Sequence, residues 1–506
     1  MRTEPSGPAV AAPPAVSQGR LATGAIGVSL ALVVVTGLLG PSAAQPPLPG
    51  RFVLPWQLGL EPSPWLVTAL LLAAIGFGAA GLVIGLRAIA AGWRLAQRTA
   101  VVAGAVATVA MVVIPPMGSA DVLVYAAYGR IASLGDDPYA MTAHDLAAAG
   151  DPIGRAVERP WQDTPSIYGP IATGEQWLAS HLGGTSMQAT VWWLAAFTAI
   201  AFVVTGLLLL RLAGVTASAR SRVMLLWWLN PLLLYEVVNG AHLDGIGIAF
   251  AVAALALVRR SPFGAGFLVG LAVAVKLSFG LYVLALAWAV RRSARSLALL
   301  GAGALAVFVA AYATVGLHAL DQARSASRLV SFAMPSRLLV GPLEALLPNH
   351  TARDVIATLS WIAFGALALW LLSRPPFGGP IESSRSALDP VRLPDPTYEA
   401  IRTAAALTLA WSLTATYSLP WYDVAAWAPI ALLAATPYDW LLIARTTVLS
   451  IAYIPGRVVD LPAGLDALTR NLRGTLGPIA GIVLLVFAVI LVRVRPEPAQ
   501  ASRTVT

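Results

Sequence analysis

The sequence predicts an all-α polytopic membrane protein. Three observations predict it. Hydrophobic residues make up 58% of the 506 positions and charged residues only 11%, whereas a soluble chain carries about 25% charged residues. Mean hydropathy is +0.75. Apolar runs recur from one end of the chain to the other, and a spanning helix needs about 20 apolar residues. The runs lie at roughly 22–40, 64–86, 99–115, 188–210, 222–238, 244–258, 262–290, 296–316, 355–373, 401–419, 424–436, 439–454 and 475–492.

Residues 1–20 are rich in Pro and Ala and read as a disordered cytoplasmic tail. The run after Arg20 lacks a cleavage-site pattern and reads as a retained span, not a signal peptide. Arginines set the orientation, because short cytoplasmic loops carry an excess of Lys and Arg. Arg87, Arg94 and Arg98, then Arg211, Arg220 and Arg222, then Arg259 and Arg260, then Arg291, Arg292 and Arg295 all fall on one side if the N-terminus is cytoplasmic. The run 262–290 has arginines at both ends, so it must double back, as two short helices or a hairpin turning near 276–280. The runs number 13, and counting this one twice gives 14 spans, within a membrane domain at 21–493. The stretch 374–398, with PPFGGP and LPDP, reads as a cytoplasmic linker, and 494–506 as a cytoplasmic tail. The longest connection, 117–187, falls outside and needs structure or function of its own. Short interfacial helices are expected there near 121–133 and 172–181.

Composition excludes several classes. With no cysteine there is no disulfide framework, thiolate metal site or cysteine nucleophile. No Walker A loop or G-x-G-x-x-G stands after a strand, and no soluble region is large enough to bind a nucleotide. The net charge of +9 is spread over loops; nucleic-acid binding would need a compact basic face. The basic residues are 32 arginines and the single Lys276, which stands in an apolar segment.

Four segments could carry chemistry. In MGSADVLVYAAYGR, Asp121 follows a span, and helical spacing puts Tyr125 and Tyr128 near its face, with Arg130 at the end. A carboxylate there could serve as a general base if partial burial raised its pKa. In LNPLLLYEVVNGAHLDG, Glu236 lies inside an apolar span, and Asn239, His242 and Asp244 follow it. Ionisable groups within spans are costly and mark functional sites by default. Lys276, at the tip of the expected hairpin, could meet an anion such as a lipid phosphate. In WQDTPSIYGPIATGEQW, Pro165, Gly169 and Pro170 enforce a rigid turn, and Trp161, Tyr168 and Trp177 offer flat faces for a sugar ring or a lipid headgroup. No ligand pattern such as H-E-x-x-H points to a metal.

These residues carry a resemblance. GSADVLVYAAYGRI, the following DDPY, SIYGPI, NPLLLYEVVNGAHLDG and GLAVAVKLSFGLY together resemble the polyprenol-phosphate-sugar-dependent glycosyltransferases of the GT-C class. More narrowly they resemble the actinobacterial alpha-(1→6)-mannopyranosyltransferases that build the mannan of lipomannan. The resemblance implies a GT-C-like helical bundle in the plasma membrane, with its active site on the external, periplasmic face. It implies a polyprenyl-phosphate-mannose donor, a mannan or mannolipid acceptor, and no nucleic-acid partner. The family's catalytic carboxylate lies in the first long external loop just after a span, the place of Asp121. The Asp here is single, without the acidic pair of some relatives in the wider class, so no metal cofactor is expected.

A phosphate leaving group departs as a stable anion, so the reaction needs one base and cationic donors around the phosphate. Asp121 is expected as the base. Lys276, His242 and an external arginine, Arg130 or Arg337, are expected at the phosphate. Tyr125, Tyr168, Glu236, Asn239 and Asp244 are expected to bind substrate. Displacement on a beta-linked donor inverts the anomeric carbon. The alternatives are a transferase using another polyprenyl-phosphate sugar, such as arabinofuranose, or a lipid or polysaccharide transporter or flippase, which would need a polar path to both faces.

Overall fold

The computed structural model describes residues 14–374, 377 and 395–491. Every regular element among them is helical. The first helix begins at Pro14, so Pro14–Arg20, expected in the tail, are helical; residues 1–13 lie outside the described residues. Most of the expected 374–398 linker and all of the 494–506 tail also lie outside them.

Among the described residues, six helices are long and apolar enough to cross a membrane by themselves: Ala15–Leu39, Pro64–Ala90, Met187–Leu212, Ala294–Val315, Asn349–Leu372 and Ala463–Leu491. The other expected spans are shorter or broken. Three of the expected runs, 222–238, 244–258 and 262–290, form two consecutive helical hairpins. Ala217–Asn239 runs one way and Asp244–Leu257 turns back, with a bend of 119°. Asn230 and Pro231 punctuate the incoming arm: the Asn230 side chain accepts from the amides of Leu232 and Leu233, as at a helix start. The arm then widens to i→i−5 hydrogen bonds, Gly240 N to Tyr235 O at 3.2 Å and His242 N to Val237 O at 3.1 Å. Wide turns of this kind often accompany functional sites. Ala241, at the tip, has φ +52°, a left-handed conformation that costs a residue with a Cβ.

The second hairpin is the doubling-back expected at 262–290. Helix Pro262–Val275 ends at Lys276, whose backbone is extended, and Leu277–Val290 follows. Packing gives the direction. Gly266 lies against Leu300, and Gly270 against Ala304 and Val307, so Pro262–Val275 and Ala294–Val315 run parallel. The segment between them must therefore return. Small residues at i and i+4 allow this close approach between spanning helices. Fourteen helical residues reach about 21 Å, short of a bilayer core of about 30 Å. Each arm of this hairpin is therefore shorter than a full span.

A third break separates Pro396–Thr414 from Val424–Leu432. Its connection ends in the 3-10 turn Pro420–Asp423, which brings Tyr422 against Lys276 at the second tip.

Ion pairs and close contacts sort the two ends. Arg222 pairs bidentately with Asp439 at 2.8 and 2.9 Å, and Arg291 with Glu399 at 2.6 Å, at one end. At the other, Arg457 Nε donates to Glu158 at 2.9 Å, Gly456 packs on Gly118, and the Gly169 amide donates to Val275 O at 3.0 Å. The long loop 117–187 contains the expected helices Asp121–Ser133 and Pro170–Gly183, and also short helices Ala143–Ala148 and Pro152–Ala156.

Candidate active site

Asp121 is the first residue of its helix, where the amide dipoles favour a negative charge. Its arrival there is set from the first hairpin. Asn239 donates to the carbonyls of Met111 and Pro115, both at 3.1 Å, and accepts from the Met117 amide at 3.1 Å. Asn239, expected to bind substrate, has its whole amide engaged in shaping the exit of helix Gln97–Val113.

The Asp121 carboxylate accepts from Trp161 Nε1 at 3.0 Å. Burial raises its pKa, and hydrogen bonds from Ser119 and Trp161 and the charge of Lys276 partly offset this, leaving it pushed up to about 6.

Asp121 and Lys276 line one cavity of about 380 Å³, within the range of small-molecule sites. Lys276 Nζ lies 2.9 and 3.0 Å from the two carboxylate oxygens of Asp244 and 3.3 Å from the centre of the Tyr422 ring. Trp161, Tyr168, Tyr417 and Tyr422 add aromatic walls, and Ser278 and Thr416 add hydroxyls. The rim holds exposed apolar side chains: Leu277 is 47% and Trp361 56% exposed. Polar chemistry thus sits at one part of the cavity and an apolar surface at another.

Gly169 holds the loop against the hairpin tip. A Cβ on Gly169 would collide with the Ala274 backbone, so only glycine lets the SIYGPI turn approach Lys276 this closely.

Several expected residues stand elsewhere. His242 does not line the cavity. It is 1% exposed, its Nδ1 lies 3.3 Å from Tyr125 Oη, and its ring stacks on Trp421 with centroids 3.6 Å apart and 9° between planes. It supports the cavity from beneath and does not present a cation to a phosphate. Tyr125 is likewise buried, and Tyr168 Oη donates to Tyr125 Oη at 3.4 Å. Asp244 reaches the cavity only through Lys276. Glu236 is 5% exposed and does not line the cavity.

Arg130 lies nine residues after Asp121 on the same helix, which puts it about 13 Å further along and on the opposite face. It pairs with Asp151 at 2.8 Å. The Arg337 guanidinium sits over Phe332, 4.8 Å from the ring centre. Neither arginine lines the cavity.

Sequence reasoning missed Tyr417, Trp421 and Tyr422. The signal was present as YSLPWYD, an aromatic and proline interruption between two apolar helices. Among the described residues no group of three or more His, Asp or Glu side chains could hold a metal ion.

Fold and site together define a polytopic helical membrane protein with a carboxylate–lysine cavity at one end of its bundle. The family model "alpha-(1→6)-mannopyranosyltransferase, N-terminal domain" matches residues 21–295, a little over half of the chain, and the chain belongs to this family. That match contains Asp121, Asp244 and Lys276. Three curated relatives are similar over shorter stretches. Alpha-(1→6)-mannopyranosyltransferase B of Corynebacterium glutamicum is 27% identical over 145 residues, 29% of this chain and 24% of its own length. Alpha-(1→6)-mannopyranosyltransferase A of the same organism is 25% identical over 162 residues, 32% of each chain. A Mycolicibacterium smegmatis protein named "probable alpha-(1→6)-mannopyranosyltransferase" is 27% identical over 156 residues, 30% of this chain and 27% of its own. The matched stretches thus span about a quarter to a third of these relatives.

Proposed function

We propose that the chain is a plasma-membrane mannosyltransferase. It moves mannose from polyprenyl-phosphate-mannose to an alpha-1,6-mannan acceptor, with inversion, on the external face. The observation that carries this reading is the meeting of Asp121 and Lys276 in one cavity, from segments about 150 positions apart in the chain. The membership in the mannopyranosyltransferase family supports the choice of sugar.

In this reading Asp121 takes the proton of the acceptor hydroxyl as that oxygen bonds to the anomeric carbon. The bond from that carbon to the phosphate oxygen breaks, and polyprenyl phosphate leaves with the electron pair. Lys276 balances the charge developing on the phosphate. Trp161, Tyr168 and Tyr422 offer faces on which sugar rings stack. The exposed Leu277 and Trp361 at the rim suit a donor that arrives by its isoprenoid chain from the bilayer. Asp121 alone serves as base, and no metal is assigned a role.

The test is direct. Membranes carrying the protein are incubated with radiolabelled polyprenyl-phosphate-mannose and a short alpha-1,6-mannoside. Wild type extends the mannoside and Asp121→Asn does not. Product from a polyprenyl-phosphate-arabinofuranose donor, with none from the mannose donor, would sink the sugar assignment.

A further inference from the structure

The stretch 415–423, between Pro396–Thr414 and Val424–Leu432, supplies Thr416, Tyr417 and Tyr422 to the cavity and Trp421 to the ring of His242. Most of this stretch lacks the regular hydrogen bonding of a helix, so its shape must come from outside it. One buried side chain on a helix that does not line the cavity supplies much of that shape. Arg445, on Pro437–Tyr453, is 3% exposed. Its Nε donates to Ser412 O at 2.9 Å, just before the stretch, and its Nη2 to Ser418 Oγ at 2.8 Å, in its middle. Its Nη1 pairs with Asp423, at the far end. The second Asp423 oxygen accepts from Thr446 Oγ1 at 2.7 Å, and Thr446 in turn accepts from Trp427 Nε1 at 3.0 Å. Asp423 itself is fully buried.

We propose that Arg445, with Asp423, is a positioning residue of the site. The planar guanidinium fork holds the helix end just before the stretch, its middle and its far end at once, and so fixes Tyr422 over Lys276 and Trp421 beneath His242. A point charge such as lysine cannot span all three. Hydrophobic residues of similar volume often replace a buried ion pair without loss of stability, so positioning and folding can be separated. The catalytic part of this inference rests on the transferase reading above.

The test uses the absence of cysteine from the chain. Thr416→Cys is labelled with a maleimide in the otherwise unaltered protein and in the Arg445→Met/Asp423→Leu background. The labelling rate is expected to rise severalfold once the stretch is released. Transfer is measured in parallel without the cysteine. In the double variant kcat is expected to fall about 100-fold, with the donor KM within about twofold and the melting midpoint unchanged. Arg445→Lys, which keeps the charge, should recover part of kcat. If the double variant does not fold, Thr446→Val, which removes one bond to Asp423, is read by the same two measurements with a smaller change. Unchanged labelling, or unchanged kcat in a folded variant, would overturn the proposal. If the wild type transfers no mannose, labelling still decides whether Arg445 holds the stretch, and only the transferase reading falls.

Discussion

Lys276 and Asp244 form a bidentate ion pair, 2.9 and 3.0 Å from nitrogen to the two oxygens, between the tips of two consecutive helical hairpins. The pair joins the turn regions of the two hairpins. It also fixes the only lysine of the chain at the cavity wall. A charge placed here is costly unless it is partnered, and Asp244 partners it on one side while the Tyr422 ring covers it on another.

Replacing Lys276 separates its two roles. Lys276→Met leaves Asp244 without its partner, and loss of one member of a buried pair costs about 3–5 kcal/mol. The melting midpoint of the purified protein should fall and transfer should be lost. Lys276→Arg keeps the charge and can still reach a carboxylate, so the midpoint should hold while the donor KM rises. A Lys276→Met protein with wild-type melting and wild-type transfer would remove Lys276 from both roles.

The rate should depend on pH through Asp121. A base acts only when ionised, and burial holds this carboxyl up to about 6. The protonated, inactive form therefore accumulates below that value. Measured kcat/KM should rise with pH through about 6 and fall about tenfold per unit below it. Asp121→Asn should lower kcat by about 10²–10⁴-fold, with the acidic limb gone from whatever rate remains. An unaltered acidic limb in that variant would place the titrating group elsewhere.

Trp161 should tune that limb. Its indole N–H donates to the Asp121 carboxylate at 3.0 Å and so favours the charged form. Trp161→Phe keeps an aromatic wall but removes the donor, so the acidic limb should move to higher pH. At pH 8 the variant should approach wild-type kcat, while near pH 6 it should fall well below. A pH profile that does not move would show that the indole does not stabilise the ionised base.

The orientation has its own test. Reporter fusions at positions 150 and 385 should report opposite sides of the membrane. Both reporting the same side would undo the orientation derived from the arginines and the external placement of the cavity together.

How much was legible in the sequence differs by element. The doubling-back at 262–290 was readable because arginines flank both ends of one apolar run, and charge placement is a local property. The helices at Asp121–Ser133 and Pro170–Gly183 were readable from spacing, although Pro170, assigned to the turn, in fact opens the second helix. The first hairpin was readable as two apolar runs, 222–238 and 244–258, with polar residues between them, but the shape of its tip was not. Its bend depends on wide turns and on a left-handed Ala241, and neither has a composition signature. Arg130 was misassigned because a distance of nine residues seems short in sequence but reverses the helix face.

The sequence by itself determined that this is a polytopic helical membrane protein, and that Asp121 and Lys276 are chemically unusual for their places. Hydropathy and charge act locally, so a linear reading captures them. Only the tertiary structure decided which polar groups converge. It joined Lys276 to Asp244 and Tyr422, turned His242 onto Trp421 and away from the cavity, and committed Asn239 to backbone carbonyls. Those partners lie up to about 180 positions apart in the chain. Each buried polar group takes the partner that packing brings within hydrogen-bonding reach, and no local pattern specifies which one that will be.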